Sequence, residues 1–145
     1  MDTMEIIQKE HLTIKSILRQ MKSELVSLVQ DQRVDKVMWS ICLAFVKENI
    51  IGFHHLRERE LIMNYRLGGN YEQYEELMNS INERHELIAC HYERLVEFWN
   101  YYQNGHTLAR YNVMEEGESL ILLMEISMTM EEKLFDLTRK ECIVQ

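Results

Sequence analysis

Proline is absent from this sequence, and glycine occurs only five times in 145 residues. These two residues dominate tight turns, and they are also the poorest residues for the interior of a helix. Sheets joined by tight turns normally need more of both, whereas long uninterrupted helices need neither. The sequence therefore predicts an all-α protein.

Clusters of helix-breaking residues fall at three places, residues 31–35, 67–70 and 104–107. They divide the chain into four segments of similar length, with no linker and no low-complexity tract between them. Short connections between long amphipathic helices place consecutive helices side by side and antiparallel. We therefore expect residues 1–145 to form a single domain, an up-down-up-down antiparallel four-helix bundle.

Each segment carries a mostly apolar stripe with steps of three or four residues, which is the periodicity of a helix with one buried face. Capping-box spacing at Asp2 with Glu5, and at Asn70 with Gln73, supports two of the helix starts. The four stripes are Ile7, His11, Ile14, Leu18, Met21 and Leu25; Leu43, Val46, Ile50, His54, Glu58, Leu61 and Tyr65; Tyr74, Met78, Ile81, His85, Ile88, Tyr92, Leu95, Trp99 and Tyr102; and Leu120, Met124, Ser127, Glu131 and Leu134.

Charge, apolar runs and cysteine content limit the classes of partner and the cell compartment that we expect. Sixteen basic and 24 acidic residues give a net charge of −8, which repels phosphate backbones and anionic membranes. No apolar run approaches the roughly 20 residues of a spanning helix, and the N-terminus has no signal-peptide pattern. Cys42, Cys90 and Cys142 form no CxxC pair and suit a reducing compartment. We expect a cytoplasmic protein with no nucleic-acid or membrane role.

Five ionisable residues interrupt the stripes at positions that call for apolar side chains: His11, His54, Glu58, His85 and Glu131. Burying such a group without a partner costs several kcal/mol. A single buried histidine is more often a packing residue than a ligand, and a single glutamate can reflect a misread face. Histidines on three helices, with two carboxylates, instead indicate convergence on a metal ion. A mixed histidine and carboxylate set suits iron, and also manganese or zinc.

The residues around these positions resemble the hemerythrin-like (HHE cation-binding) proteins. Residues 10–14 (EHLTI) resemble the first histidine motif of that family. His54-His55-x-x-Glu58 resembles its HHxxEE signature, with Arg59 in place of the second glutamate. Residues 83–88 (ERHELI) resemble the third histidine helix, and residues 131–135 (EEKLF) resemble the acidic end of the last motif. The resemblance extends from about residue 5 to 136.

This resemblance implies a four-helix bundle with a non-haem di-iron centre. His11, His54 and His85 would be the imidazole ligands, and Glu58 and Glu131 would be carboxylate ligands that bridge the two ions. It implies sensing of oxygen, redox state or nitric oxide, or small-molecule redox chemistry, with a diatomic molecule or peroxide as ligand. Whether the protein is an enzyme stays open, and a homodimer is compatible with the sequence.

The sequence departs from the family pattern at two positions. Ser127 stands where the last helix normally carries a histidine, and Ala89 stands where oxygen carriers have a second histidine on the third helix. These losses argue against reversible oxygen transport. Water could fill an open metal position, Glu125 could substitute as a ligand, or the site could hold one metal ion or none. In the last case the chain would be a metal-free helical interaction module.

Two further points stay open in the sequence. The register of the last helix leaves Glu132 as an alternative to Glu131 as the last ligand. His55 follows His54 directly, and the roughly 100° turn per residue of an α-helix points its side chain away from that of His54. We expect His55 beside the site or at the surface.

Overall fold

The computed structural model describes residues 2–30, 33–65 and 71–144, with side chains for 2–30, 33–63 and 75–136. Within these ranges all regular structure is helical, so the all-α prediction is confirmed. The elements are α1 (Thr3–Val29), α2 (Lys36–Phe45), a π-helical segment (Val46–His54), α3 (His55–Tyr65), α4 (Tyr71–Gln103) and α5 (Ala109–Val144). Since α2, the π-helical segment and α3 follow without interruption, they form one composite helix over residues 36–65.

The helix ends fall where the sequence predicts them. The Asp2 carboxylate accepts the Glu5 backbone N–H at 2.8 Å and caps α1. The Asp35 carboxylate caps α2 in the same way through the Met38 N–H at 3.0 Å. Side-chain oxygens at these positions satisfy N–H groups that have no partner within the helix. Residues 31 and 32, the predicted break at 67–70 and the predicted cap at Asn70 lie outside the described residues.

The connection between α4 and α5 contains Gly105, whose φ is 96°. This left-handed conformation is costly for a residue with a Cβ atom, and glycine adopts it freely. The break predicted at residues 104–107 therefore corresponds to the end of α4 at Gln103 and the start of α5 at Ala109.

The π-helical segment is the one irregular element in the composite helix. Its last hydrogen bond runs from the His55 N–H to the Ile50 carbonyl, an i to i−5 pair. Gly52 fits this wider turn, because a Cβ atom there would lie 3.0 Å from the Lys47 carbonyl oxygen. π-helical turns occur frequently at functional sites, and this one ends at a candidate ligand, His54.

The predicted stripes form the core. Nearly all of their described members are buried, and Tyr92 and Tyr102 are half-buried. The main apolar cluster occupies the part of the molecule where Trp39 packs on Trp99, with ring centroids 5.6 Å apart. Two smaller apolar clusters form separately, one around Ile81 and one around Phe135. The ionisable stripe residues lie between these clusters along the helices.

The contacts of α5 with α1 and with α4 show the relative direction of these helices, because early residues of one helix contact late residues of the other. His11, early in α1, contacts Glu132 near the end of the described part of α5, whereas the Val29 carbonyl at the end of α1 accepts from Arg110 at the start of α5. In the same sense, α4 residues His85 and His91 contact α5 residues 131 and 116. Among the described residues, no helix has the length and apolar content to cross a membrane.

Candidate metal centre

The structure brings together all five ionisable residues that the stripes single out. His11 comes from α1, His54 from the π-helical segment, Glu58 from α3, His85 from α4 and Glu131 from α5. Each is at most 2% exposed. Residues separated by up to 120 positions in sequence thus converge, as the sequence predicts for a shared site.

One half of the cluster joins two imidazoles to one oxygen of each carboxylate. His11 Nε2 lies 3.0 Å from Glu58 Oε1 and 3.0 Å from Glu131 Oε1. His54 Nε2 contacts Glu58 Oε1 and lies 3.9 Å from Glu131 Oε1. One donor atom from each of these four residues lies within 4.8 Å of all the others, a spacing that could enclose a single cation.

The other half of the cluster uses the second oxygen of each carboxylate. His85 Nε2 lies 3.1 Å from Glu58 Oε2 and 3.4 Å from Glu131 Oε2. The Ser127 hydroxyl donates to Glu131 Oε2 at 2.6 Å. Each carboxylate therefore directs Oε1 to the His11 and His54 side and Oε2 to the His85 side. Carboxylates that bridge two cations have this arrangement.

The spacing of these atoms fits metal ligation. Ligand atoms about 2.0–2.1 Å from a metal ion are about 2.8–3.4 Å from one another in octahedral or tetrahedral geometry. Four of the nitrogen–oxygen distances above are 3.0–3.4 Å. His54 Nε2 and Glu58 Oε2 are buried and make no geometrically sound hydrogen bond with any described residue. Close atoms that do not align as donor and acceptor are expected where ligands point to a common cation.

The charges of the cluster are strongly coupled. Burial alone would lower the pKa of His11, but the Glu131 and Glu58 carboxylates outweigh burial and raise that pKa to about 10. The same two carboxylates, acting against burial, raise the pKa of His85. A cation entering the site must therefore displace protons from imidazole, as metal ions do when they bind histidine.

The two carboxyl groups differ in their ionisation. Burial would raise the pKa of Glu58, but its close contacts with Glu131 and the three histidines hold it well below its usual value. Burial, together with the negative charge of Glu58, raises the pKa of Glu131. Glu58 is therefore the stronger acid of the two.

Glu131, rather than Glu132, faces the histidines. Glu132 approaches from the outside with its side chain 37% exposed and contacts His11 Nδ1 at 2.7 Å. On the neighbouring histidine, Glu10 Oε2 lies 3.6 Å from His54 Nδ1, and Arg57 Nε holds the other oxygen of Glu10 at 3.3 Å. Carboxylates behind the ligating histidines fix ring orientation and increase ligand basicity in metal sites. The helix register that decides between residues 131 and 132 was not resolved by the stripe.

His55 lies beside the site and not at the surface. It is buried and stacks in parallel on His85, with ring centroids 3.7 Å apart. The α-helical angle of about 100° per residue does not apply across the wider π-helical turn that ends at His54, which is why the surface alternative was wrong. Burial and the neighbouring His85 charge lower the pKa of His55 to about 2, so it stays neutral. The glycine at position 52 is the sequence signal that could have indicated the π-helical turn.

Ser127, which stands in place of the missing histidine, and Glu125, its proposed substitute as a ligand, lie in different surroundings. Ser127 is buried and reaches the cluster through its hydrogen bond to Glu131. Glu125 does not reach it, because its side chain forms an ion pair with Lys22 on the outside of the molecule. Free Cys42 and Cys90 do not belong to the cluster, and Cys142 lies outside the described side chains.

Comparisons with family models, with curated proteins and with solved structures find no match to this chain. The assignment of a class therefore depends on the fold and the site alone. These define an all-helical protein with a buried histidine and glutamate cluster whose composition and spacing could hold a metal ion.

Proposed function

We propose that the chain is a hemerythrin-like protein, an up-down-up-down antiparallel four-helix bundle that holds non-haem iron, with two ions at full occupancy. Its role would be oxygen, redox or nitric-oxide sensing, or small-molecule redox chemistry, in the cytoplasm, and not oxygen transport. The observation that carries this proposal is the buried cluster itself, in which Glu58 and Glu131 each direct one oxygen to His11 and the other to His85.

The order of contacts supports the bundle. Residue numbers rise along α1 as they fall along α5, and the same holds for α4 with α5. Just before the composite helix, the Asp35 N–H donates to Glu24 of α1, whereas Glu58 on that helix contacts His11 of α1. Short connections favour this alternation of direction between neighbours.

Iron agrees best with the donor set, and manganese or zinc are also compatible. The cluster offers imidazole nitrogens and carboxylate oxygens and no thiolate, which excludes an iron–sulfur cluster at this place. Bound iron would supply one-electron chemistry and a coordination position for a small ligand. The chain's own residues would hold the ion and limit the access of water by their burial, and the proton on His11 would leave when the ion enters.

The free space beside the cluster limits the ligand to a very small molecule. A cavity of about 10 Å³ is bordered by Ser127 and by apolar side chains from three helices, among them Ile14, Ile50, Met124 and Met128. About this volume is the minimum that one water molecule requires. A diatomic molecule or peroxide, the class of ligand that we propose, would therefore need the side chains around this cavity to move.

Oxygen transport is disfavoured because nitrogen donors are few. Three imidazoles face the two carboxylates, and neither Ala89 nor Ser127 adds a nitrogen. Fewer nitrogen ligands leave more coordination positions to water or substrate, which favours reactivity over reversible storage. The same argument leaves an enzymatic role open, and turnover of hydrogen peroxide or nitric oxide by the iron-loaded protein would distinguish an enzyme from a sensor.

A metal-free interaction module is the second candidate. The hydrogen bonds from His11 to Glu58, Glu131 and Glu132 favour it, because they partly satisfy the buried groups without a cation. Exposed aromatic side chains such as Tyr101 and Tyr111 would then serve as the contact for a partner or a second copy. This candidate predicts that chelators leave thermal stability unchanged.

Removing one ligand tests the proposal. We expect wild-type protein loaded with Fe²⁺ without oxygen to retain iron after desalting and to melt at a higher temperature than after chelation, since ligand binding stabilises the folded state. His54→Ala should retain much less iron. His91→Ala is the matched control, because His91 pairs with Glu116 outside the cluster. Equal iron retention by both variants, or none by the wild type, would contradict the proposal.

A further inference from the structure

The two halves of the cluster offer different ligands to a cation. On one side stand His11 Nε2, His54 Nε2 and the Oε1 atoms of Glu58 and Glu131, which we name position 1. On the other side stand His85 Nε2 and the two Oε2 atoms, with the Ser127 hydroxyl beside them, which we name position 2. We infer that position 1 binds a divalent cation tightly and that position 2 binds a second, exchangeable cation much more weakly.

Position 1 has a complete set of four protein ligands, two nitrogens and two charged oxygens. One of its histidines also has a carboxylate bonded behind it, since Glu132 lies 2.7 Å from His11 Nδ1. Glu10 lies 3.6 Å from His54 Nδ1, which is too far for a hydrogen bond. Support of this kind commonly changes metal affinity by about 10- to 100-fold. Position 1 therefore combines the larger donor set with the better-held ligands.

Position 2 has one nitrogen and two charged oxygens. The Nδ1 atom of His85 is buried and has no hydrogen-bond partner among the described residues, so no carboxylate orients this ring. Its ring is instead stacked on that of His55. The Ser127 hydroxyl, 2.6 Å from Glu131 Oε2, is a neutral and weak ligand at most. A cation here would have vacant coordination positions and one imidazole ligand fewer than a cation at position 1.

Because the two positions share the same two carboxylates, the difference between their cation affinities becomes larger. Glu58 and Glu131 provide all the negative charge that faces both positions, with Glu132 outside at His11. The first cation neutralises most of this charge, so the second enters against the repulsion of the first. We expect a second dissociation constant at least about tenfold above the first, in line with the loss of one supported imidazole. The inference depends on the proposed metal-binding function.

Calorimetric and optical titration of the metal-free wild-type protein with Co²⁺ tests the inference. The expected result is two separate steps, of which only the weaker is abolished in His85→Leu. Far-ultraviolet circular dichroism shows whether that variant is folded. Two steps of equal affinity, or loss of both steps in a folded His85→Leu protein, would overturn the inference that the two positions differ in affinity. Neither result would contradict the proposal that the cluster binds metal ions.

A second variant makes the assignment of position 2 independent of His85. Ser127→Cys is nearly isosteric and places a thiol next to Glu131 Oε2, where a thiolate would bind Co²⁺ strongly. A thiolate-to-cobalt charge-transfer band should appear with the second equivalent of Co²⁺ and not with the first. The wild type, with Cys42, Cys90 and Cys142, is the control for the other thiols.

The outcomes of these titrations separate the two proposals. A charge-transfer band that appears with the first equivalent, or no band at all in a Ser127→Cys protein that binds Co²⁺, would overturn the inference alone. No Co²⁺ binding by the wild type would overturn the proposed function and the inference with it.

Discussion

The negative charge of Glu58 should stabilise the metal-free protein measurably. Its side chain is 0% exposed and its oxygens lie 3.0 Å from His11 Nε2 and 3.1 Å from His85 Nε2. Glu58→Gln keeps the shape of the side chain and removes the charge, so no cavity contributes to the effect. We expect this variant to lower the free energy of unfolding without changing the fold.

The size of the effect follows from the proton on His11. Its pKa is raised from 6.5 to about 10, and one pKa unit corresponds to about 1.4 kcal/mol. At pH 7 the difference between the folded and unfolded pKa is therefore worth about 4 kcal/mol. Glu58 and Glu131 share this effect, so loss of the Glu58 charge should cost about 2 kcal/mol and lower the melting temperature by about 4–8 °C.

Urea unfolding in the presence of a chelator, followed by circular dichroism, measures this cost. The control is Glu132→Gln, which touches the same imidazole at Nδ1 but is 37% exposed. Since solvent screens an exposed pair, that variant should cost less than about 1 kcal/mol. Equal unfolding free energies for Glu58→Gln and the wild type, or an equal cost in both variants, would refute the reasoning.

The difference in unfolding free energy between the wild type and Glu58→Gln should also depend on pH, which provides a second check. The His11 pKa is higher in the folded than in the unfolded protein, so its stabilisation is fully present below about pH 6.5 and is lost as the pH rises through about 10. The gap between wild type and Glu58→Gln should therefore narrow toward pH 10. A gap that widens with rising pH would contradict the assignment of the proton to His11.

Two further changes probe the surroundings of the site and the fold. His55 has its pKa lowered to about 2 when folded, so wild-type stability falls as the pH drops below 6.5, by up to about 1.4 kcal/mol per pH unit. His55→Phe keeps an aromatic ring against His85 and should lose less stability than the wild type between pH 6.5 and 4.5 in urea titrations; parallel curves would contradict this. Gly105→Ala forces a Cβ atom into a φ of 96° and should cost about 1 kcal/mol with metal retention unchanged, whereas a neutral effect on unfolding would argue against the left-handed turn.

The sequence was sufficient to predict the helices and the burial of five ionisable residues because both depend on one periodicity. Steps of three and four residues placed His11, His54, Glu58, His85 and Glu131 on the buried faces, and the structure buries all five. The absence of proline and the few glycines predicted helices with short connections. These properties are local, so a single sequence carries them.

Properties that depend on backbone detail or on exact register were not predictable. The π-helical turn has no strong sequence signal apart from Gly52, and it changes the direction of His55. Glu131 and Glu132 are adjacent, and a small rotation of α5 decides which of them faces the histidines. The division of the carboxylate oxygens between His11 and His85 depends on side-chain packing across four helices, which no stripe encodes.

The central claim is that the buried histidine and glutamate cluster binds metal ions. The most direct test is elemental analysis of the protein after anaerobic loading with Fe²⁺ and desalting, with His54→Ala and His91→Ala measured alongside. We expect about one tightly held ion per chain in the wild type and in His91→Ala, with the second position largely emptied by desalting, and a strong loss of metal in His54→Ala. Wild-type protein that retains no metal, while it remains folded and indifferent to chelators, would contradict it.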